Sequence, residues 1–252
     1  MSLDDVTSRY VQAVVDRLRS LLGDGLRGVY LVGSGSMGGF DPRTSDVDLI
    51  AVVNGALSEA QKREVVERLS HTALPCPVRK LELVVYRPEA LEGSSASLRW
   101  ELNLNTGREV GVEASFDPSA EPGHWFVLDL AMAREHARPV FGPPPRLVFG
   151  GIHHDRVVRA LMGSIQWHRS NDREGIQSVL NACRAWRWVE EGTWSPKPAA
   201  AAWARARAND PGVIDAALAA RTADGTSSLE NNAVERFVAS VERRVERALE
   251  GA

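Results

Sequence analysis

Cysteine is scarce in this sequence: its 252 residues include two, Cys76 and Cys183. They lie far apart and lack the spacing of zinc ligands, so the sequence predicts two buried thiols in a reducing compartment. Long apolar runs are missing as well, since no stretch reaches the roughly 20 residues that cross a bilayer. The first residues carry apolar side chains at helical spacing and lack the short apolar core of a signal peptide. We therefore expect a cytoplasmic protein that begins with a surface helix and has no membrane partner.

An excess of positive charge is also missing. Lys and Arg number 30 against 33 Asp and Glu, which gives a net charge of −3. Proteins that follow a nucleic acid backbone usually carry a basic surface, so no nucleic acid partner is expected. The hydrophobic fraction of 44% and the charged fraction of 25% are those of a globular protein that can bury a substantial core, in one domain or two.

The two halves of the chain differ in periodicity. The first half alternates helix-like segments, such as 59–69, with strand-like runs at 28–32, 47–53, 80–86 and 109–114. Three successive prolines within 141–151 interrupt both patterns and predict a domain connection. Apolar residues at three- and four-residue spacing then predict helices at 156–167, 174–190, 198–208, 212–220 and 229–249. The sequence predicts an α+β domain with a small mixed sheet at 1–148, followed by an all-α helical bundle at 149–252.

The most informative segment is 29–53, VYLVGSGSMGGFDPRTSDVDLIAVV, because it places two carboxylates on one strand. Side chains two apart point to the same face of a strand, so Asp46 and Asp48 lie side by side and Val47, Leu49 and Ala51 face the core. Adjacent carboxylates repel each other unless a cation neutralises them. Oxygen-rich surroundings without thiols suit Mg²⁺, which binds carboxylates and phosphate oxygens together.

A glycine-rich turn precedes this strand. Gly33 and Ser34 bring backbone N–H groups and a hydroxyl to the end of the first strand, where they form a suitable cradle for phosphates. The glycines that follow allow close backbone approach. The alternative is a flexible turn followed by a solvated strand end. The ordered combination of turn and paired aspartates between apolar strands favours a phosphate and metal site.

A third carboxylate, Glu82, lies between Leu81 and Leu83 in the strand-like run VRKLELVVY. Burying it alone would be costly, which favours a cluster with something cationic. In phosphoryl transfer such a residue holds a second metal or takes a proton from the acceptor hydroxyl. The alternative is an edge strand with Glu82 on its solvent face.

The order of G-S, glycine-rich turn and S-D-V-D-L resembles the polymerase-β-like nucleotidyltransferases. The whole chain resembles the aminoglycoside 3″/9 adenylyltransferases, because further matches follow in the family's order. They are L-E at 81–82, L-R-W-E-L at 98–102, A-R-E-H at 133–136, G-P at 142–143 and S-P-K at 195–197. The resemblance implies a monomer that transfers AMP from ATP, with two Mg²⁺ ions, to a hydroxyl of spectinomycin or streptomycin. Pyrophosphate is released, and the reaction confers antibiotic resistance.

The resemblance also implies roles for individual residues. The metal-binding aspartates fall on Asp46 and Asp48, and Glu82, as the catalytic base, also binds metal. Positions that contact the nucleotide phosphates fall on Gly33, Ser34 and Ser45, and cations that clasp the triphosphate across an interdomain cleft fall on Arg184 and Lys197. Lys197 stands between two prolines, a rigid setting that suits a phosphate anchor, and Arg184 lies in the helical run CRAWRW.

The acceptor site is implied by three residues of the second half. Glu174 and Asp172 match acids of the family, and Trp167 matches an aromatic contact, as a polycationic acceptor requires. The segment 103–111 lacks the tryptophan of streptomycin-handling members, and a tyrosine expected near Ala223 is missing. Both differences favour spectinomycin or another aminocyclitol as the acceptor. Two alternatives stay open: a superfamily enzyme with a different acceptor, and a non-catalytic, antitoxin-type binding module.

Overall fold

The computed structural model describes residues 3–93, 99–222 and 228–250, so Leu98 and Ala223 lie outside the described residues. The chain forms two compact units, residues 1–152 and 153–252. The first unit extends past residue 148 because Phe149 is buried in its core and packs edge-on against Tyr30, with ring centroids 5.0 Å apart. Ile152 packs against the same core.

The first unit contains a mixed sheet, which in the described part of the chain has six strands in the order β5-β4-β3-β2-β1-β6. The strands are β1 Leu26–Leu31, β2 Val47–Val53, β3 Leu81–Tyr86, β4 Trp100–Gly107, β5 Gly111–Ser115 and β6 Arg138–Phe141. Strands β2 and β3 run parallel, and every other neighbouring pair is antiparallel. The predicted α+β class with a small mixed sheet is confirmed. Strands β4 and β6 had not been predicted.

Four helices accompany the sheet in the described residues: α1 Asp5–Leu22, α2 Gly33–Met37, α3 Glu59–Leu69 and α4 Gly123–His136. Helix α1 begins where the Asp4 carboxylate accepts hydrogen bonds from two backbone N–H groups, and α3 begins at a capping box of Ser58 and Gln61. The helix predicted at 59–69 has the bounds of α3.

Each face of the sheet has its own core. The alternating residues Val47, Leu49 and Ala51 of β2 join a cluster with side chains of α1 and α3. The intervening residues Ile50 and Val52 join a second cluster with α4. We call this second side the α4 face of the sheet. Asp48 alternates with the residues of the first core and therefore lies on the α4 face.

The second unit is all helical in the described residues, as predicted. Its helices are α5 His154–Asn171, α6 Ile176–Glu191, α7 Lys197–Arg205, α8 Gly212–Thr222 and α9 Asn231–Glu250. Helix α6 packs against the other four and buries Val179, Leu180, Ala182 and Cys183. Arg169 of α5 forms ion pairs with Glu235 and Glu242 of α9. Within the described ranges, no helix of either unit is both long and apolar enough to span a membrane.

Candidate active site

The three predicted carboxylates lie at one end of the α4 face. Strand register places Asp48 of β2 beside Glu82 of β3, and Glu82 opposite Asn105 of β4. Asp46 precedes the first residue of β2 and shares this face by alternation. A polar row of Asp48, Glu82 and Asn105 thus crosses three neighbouring strands in a region that is otherwise apolar.

The Asp48 carboxylate lies directly against the glycine-rich segment. Gly33 has a φ of +59°, and an ideal Cβ at this position would lie 2.0 Å from Asp48 Oδ2. The Val32 N–H donates to the Asp48 carbonyl at 2.9 Å, which joins the two strands at this point. Only glycine gives both the backbone conformation and the space for the carboxylate.

The predicted turn is a short helix, α2, with serines in different surroundings. Ser34 is half-buried in its first turn, whereas Ser36 is buried and donates from Oγ to the Gly33 carbonyl at 3.1 Å. Ser45 is buried, and its Oγ accepts a hydrogen bond from the Asp41 N–H at 3.0 Å. Ser45 therefore supports the loop that leads into the paired aspartates.

Negative charge is concentrated around Asp48. Burial raises the pKa of this carboxyl well above its usual range, and the charges of Glu82, Asp46 and Asp129 raise it further, whereas Lys80 opposes them. A carboxylate in this setting is stabilised by a nearby cation.

Two cations beside the carboxylates had not been identified from the sequence. Arg79 donates two hydrogen bonds to the Asp46 carboxylate, from Nε to Oδ1 and from Nη2 to Oδ2, both at 2.9 Å. The hydrogen bond to Asp46 raises the pKa of Arg79. Lys80 forms an ion pair with Glu82 and donates to Asn105 Oδ1 at 3.3 Å. Burial alone would lower the pKa of Lys80, but the Glu82 carboxylate raises it.

The carboxylates fit a metal site in donor chemistry but not in their present spacing. In the chain as described, no three His, Cys, Asp or Glu side chains are grouped as metal ligands. Arg79 and Lys80 instead pair with Asp46 and Glu82. The oxygen donors and the concentration of negative charge around Asp48 suit Mg²⁺.

A fourth acid, Asp129 on α4, was also missed. Its neighbours Phe126, Leu130 and Ala133 form a stripe at three- and four-residue spacing that packs on the α4 face, and Asp129 falls within that stripe. Its charge adds to the effect of burial in raising the pKa of Tyr86, as it does for Asp48. The sequence shows the stripe, but the side of α4 that meets the sheet is known only from the fold.

The predicted cations of the second unit lie close to His168. Lys197 is the first residue of α7, and its Nζ donates to Gln177 Oε1 at 2.7 Å. Burial lowers the pKa of His168, and the charges of Lys197 and Arg184 lower it further. Arg184, on α6, and Lys197 therefore act on the same imidazole.

Two of the three predicted acceptor residues also surround His168. The Trp167 ring stands edge-on to the imidazole with centroids 5.3 Å apart, and its side chain is 39% exposed. Asp172 ends α5, accepts the Ser178 N–H at 2.6 Å and counteracts the lowered pKa of His168. Glu174 is exposed, in the connection between α5 and α6.

Known proteins that are similar to this chain are adenylyltransferases. Residues 147–244 match the family model described as aminoglycoside adenylyltransferase, C-terminal domain. A spectinomycin 9-adenylyltransferase of Staphylococcus aureus is 28% identical over 74% of each chain, and an aminoglycoside (3'') (9) adenylyltransferase of Klebsiella pneumoniae is 27% identical over 79% of each. The fold is that of a spectinomycin adenyltransferase from Enterococcus faecialis solved with ATP and spectinomycin. That chain is 19% identical, with a TM-score of 0.73 over 95% of this chain and 99% of that one.

The relatives that cover most of this chain are adenylyltransferases, and the chain is a nucleotidyltransferase. The resemblance found in the sequence is confirmed by the relatives. Aminoglycoside adenylyltransferases are similar to this chain over most of its length, and residues 147–244 match their C-terminal domain.

Proposed function

We propose that this enzyme transfers an adenylyl group from Mg-ATP to a hydroxyl of spectinomycin or a related aminocyclitol, and thereby confers resistance. The observation that carries the proposal is the register of Asp48 beside Glu82 on one face, with Asp46 at the start of the same strand. Relatives named as spectinomycin 9-adenylyltransferases support the acceptor class. We place the reaction in the cytoplasm, where ATP is available, and expect a monomer.

The solvent exposure of the carboxylates indicates which of them acts as the general base. Glu82 is 38% exposed in its side chain, compared with 15% for Asp46, so Glu82 is the carboxylate that an acceptor hydroxyl can reach. It accepts the hydroxyl proton as the oxygen attacks the α-phosphorus. A bond from that oxygen to phosphorus forms, the bond to the β-phosphate bridge breaks, and pyrophosphate leaves.

Asp46, Asp48 and Glu82 would hold the two Mg²⁺ ions, with Gly33 and Ser34 beside the phosphates and Ser45 supporting the loop. The ions, when bound, supply charge stabilisation for the attacking and leaving oxygens. Because Arg79 and Lys80 hold Asp46 and Glu82 in the described state, loading requires these side chains to withdraw.

Arg184 and Lys197 supply the positive charge that binds the triphosphate in this proposal. The charges of both residues lower the pKa of His168, which is consistent with a positively charged region in this unit. The exposed Glu174, together with Asp172 and the partly exposed Trp167, would recognise the cationic acceptor.

We prefer spectinomycin over streptomycin as the acceptor because asparagines, and no tryptophan, lie in this part of β4. Residues 103 and 105 of β4 are asparagines on the α4 face, paired with Val84 and Glu82. An amide there can donate and accept hydrogen bonds but presents no broad aromatic face for a guanidinium group to stack on.

The alternative of a non-catalytic module is disfavoured by the same geometry. Three carboxylates on one face repel one another, and a binding module has no need to keep them together. An enzyme that recruits metal ions does.

The test is Mg²⁺-dependent pyrophosphate release by the purified protein, with the four nucleoside triphosphates each paired with spectinomycin, streptomycin and other aminoglycosides. We expect release with ATP and spectinomycin. Streptomycin-dependent release without activity on spectinomycin would overturn the acceptor assignment alone. If no acceptor stimulated release with any nucleotide, the transferase proposal would be wrong. Susceptibility testing of cells that express the protein gives an independent check.

A further inference from the structure

A neutral side chain in the first turn of α6 holds the Lys197 ammonium. Gln177 Oε1 accepts a hydrogen bond from Lys197 Nζ at 2.7 Å. Gln177 follows Ile176, the first residue of α6, and Lys197 is the first residue of α7. Both side chains are partly buried. The bond therefore ties together the beginnings of two helices of the same unit.

Gln177 belongs to a network that reaches α5. Asn181 Nδ2 donates to the Gln177 carbonyl at 3.0 Å and lies 2.9 Å from His168 Nε2. His168 Nδ1 lies 2.8 Å from the Ser164 carbonyl. A carbonyl oxygen can only accept, so Nδ1 carries the proton and Nε2 accepts from the Asn181 amide. Burial, Lys197 and Arg184 keep the pKa of His168 low, which suits this neutral tautomer.

The chemistry of the acceptor determines what this bond does to Lys197. An ammonium has three N–H donors, and Gln177 takes one of them. An amide carries no net charge, so it restricts the direction of the ammonium without neutralising it. A lysine side chain has many rotamers, and holding it in advance lowers the entropy lost when it binds a phosphate.

We propose that Gln177 is a positioning residue for nucleotide binding: it presents the Lys197 ammonium to the triphosphate. The inference rests on the proposed function, because it assumes that Lys197 binds nucleotide. The Asn181 amide contacts the backbone carbonyl of Gln177, and the Gln177 side chain holds the cation.

The experiment is a double-mutant cycle with Gln177→Met and Lys197→Met, read out as the Kd for ATP and as KM and kcat. Methionine keeps the length of glutamine and removes the acceptor. Because the lost bond positions Lys197 and does not itself contact the nucleotide, we expect the effect of an ordinary hydrogen bond, a rise of about threefold to tenfold in Kd and KM with kcat within about twofold. In the Lys197→Met background, Gln177→Met should have no further effect.

Gln177→Glu separates orientation from charge. Glutamate still accepts the bond from Lys197 but neutralises the ammonium, so nucleotide binding should weaken and its salt dependence should decrease. If Gln177→Met failed to fold, this variant would decide the question, because unchanged affinity in Gln177→Glu contradicts the proposal. The matched control is Gln166→Met, on the exposed side of α5. It should leave Kd, KM and the melting temperature unchanged.

The cycle distinguishes the inference from the function on which it rests. Unchanged ATP affinity in Lys197→Met would show that Lys197 does not bind nucleotide, whatever Gln177 does. Weaker binding in Lys197→Met combined with unchanged binding in Gln177→Met would overturn the positioning role alone. Additive effects of the two substitutions would overturn it as well, because a residue that acts through Lys197 has nothing to position once Lys197 is gone.

Discussion

Gly33→Ala tests the closest contact in the candidate site, that between the backbone of α2 and the Asp48 carboxylate. The substitution has two separate costs. A side chain at a φ of +59° costs about 1–2 kcal/mol relative to glycine. The added Cβ would also lie 2.0 Å from Asp48 Oδ2, where ordinary contact begins at 3.4 Å. The carboxylate must therefore withdraw by about 1.4 Å, the difference between these distances.

The second cost should appear in activity. A displacement of about 1 Å in a reacting constellation lowers the rate by about 100-fold, which corresponds to about 2.7 kcal/mol of transition-state stabilisation. The first cost should appear in the melting temperature, as a decrease of a few degrees for a chain of this size. Under the proposed function, the assay is spectinomycin-dependent pyrophosphate release, with thermal unfolding measured on the same samples.

Gly111→Ala is the matched control. Gly111 also has a positive φ, +66°, but nothing lies within 4 Å of its ideal Cβ. This variant should show the small loss of stability and keep most of its kcat/KM. Equal activity in the two variants would refute the reasoning, because the Asp48 contact would then have no consequence beyond backbone strain.

Three further predictions concern the charges of the site. Glu82→Gln should lower kcat by about 100-fold to 10,000-fold, as for loss of a general base, with the calorimetric Kd for ATP retained; near-normal turnover would remove Glu82 from this role. Arg79→Ala should tighten binding of Mn²⁺, followed by electron paramagnetic resonance in the absence of nucleotide, because Asp46 loses its competing cation. Weaker binding would mean that Arg79 instead holds Asp46 in place for the metal. Asp48→Asn should raise the melting temperature of metal-free protein, since it removes a buried charge crowded by other carboxylates. If Asp48→Asn instead had a lower melting temperature than the wild type in EDTA, the Asp48 carboxylate would not destabilise the metal-free protein.

The paired acids could be predicted because the information lies in one strand. Alternation fixes the face of Asp46 and Asp48 once the apolar residues of β2 are assigned to the core, and the structure has that pattern. The helix at 59–69 was equally local, since its capping box and apolar spacing lie within a few residues of each other. Elements of this kind need no knowledge of the rest of the fold.

Strand β4 was not predicted because it carries polar residues, and the same residues place it at the candidate site. Its leucines 102 and 104 alternate with asparagines 103 and 105, and this two-residue period is typical of a strand. Asparagine, however, is depleted in strands, so a central strand with polar residues has a weak signal. Here the polar residues lie on the face that carries Glu82. The polar residues that face the candidate site therefore weakened the sequence signal for strand β4.

The surroundings of the carboxylates could not be predicted, because they depend on pairings between distant parts of the chain. Arg79 and Asp46 are 33 residues apart, and nothing in either segment indicates a two-bond contact. The apolar neighbours of Glu82 had suggested a cationic partner, but the sequence could not identify which of the nearby cations pairs with which acid. Asp129 required knowledge of how α4 is turned toward the sheet.

In the second unit, residues predicted to bind substrates of opposite charge all influence one imidazole, that of His168. Lys197 and Arg184 were assigned to an anionic nucleotide, and Asp172 to a cationic acceptor, yet all three act on the pKa of His168. Under the proposed function, both substrates need groups of opposite charge close to one reaction centre without those groups neutralising each other. A buried ring whose hydrogen bonds fix it in the neutral form is compatible with that need, since it adds no charge. Gln177, which accepts a hydrogen bond from Lys197, and Asn181, which contacts His168, are neutral amides and add no charge to this network.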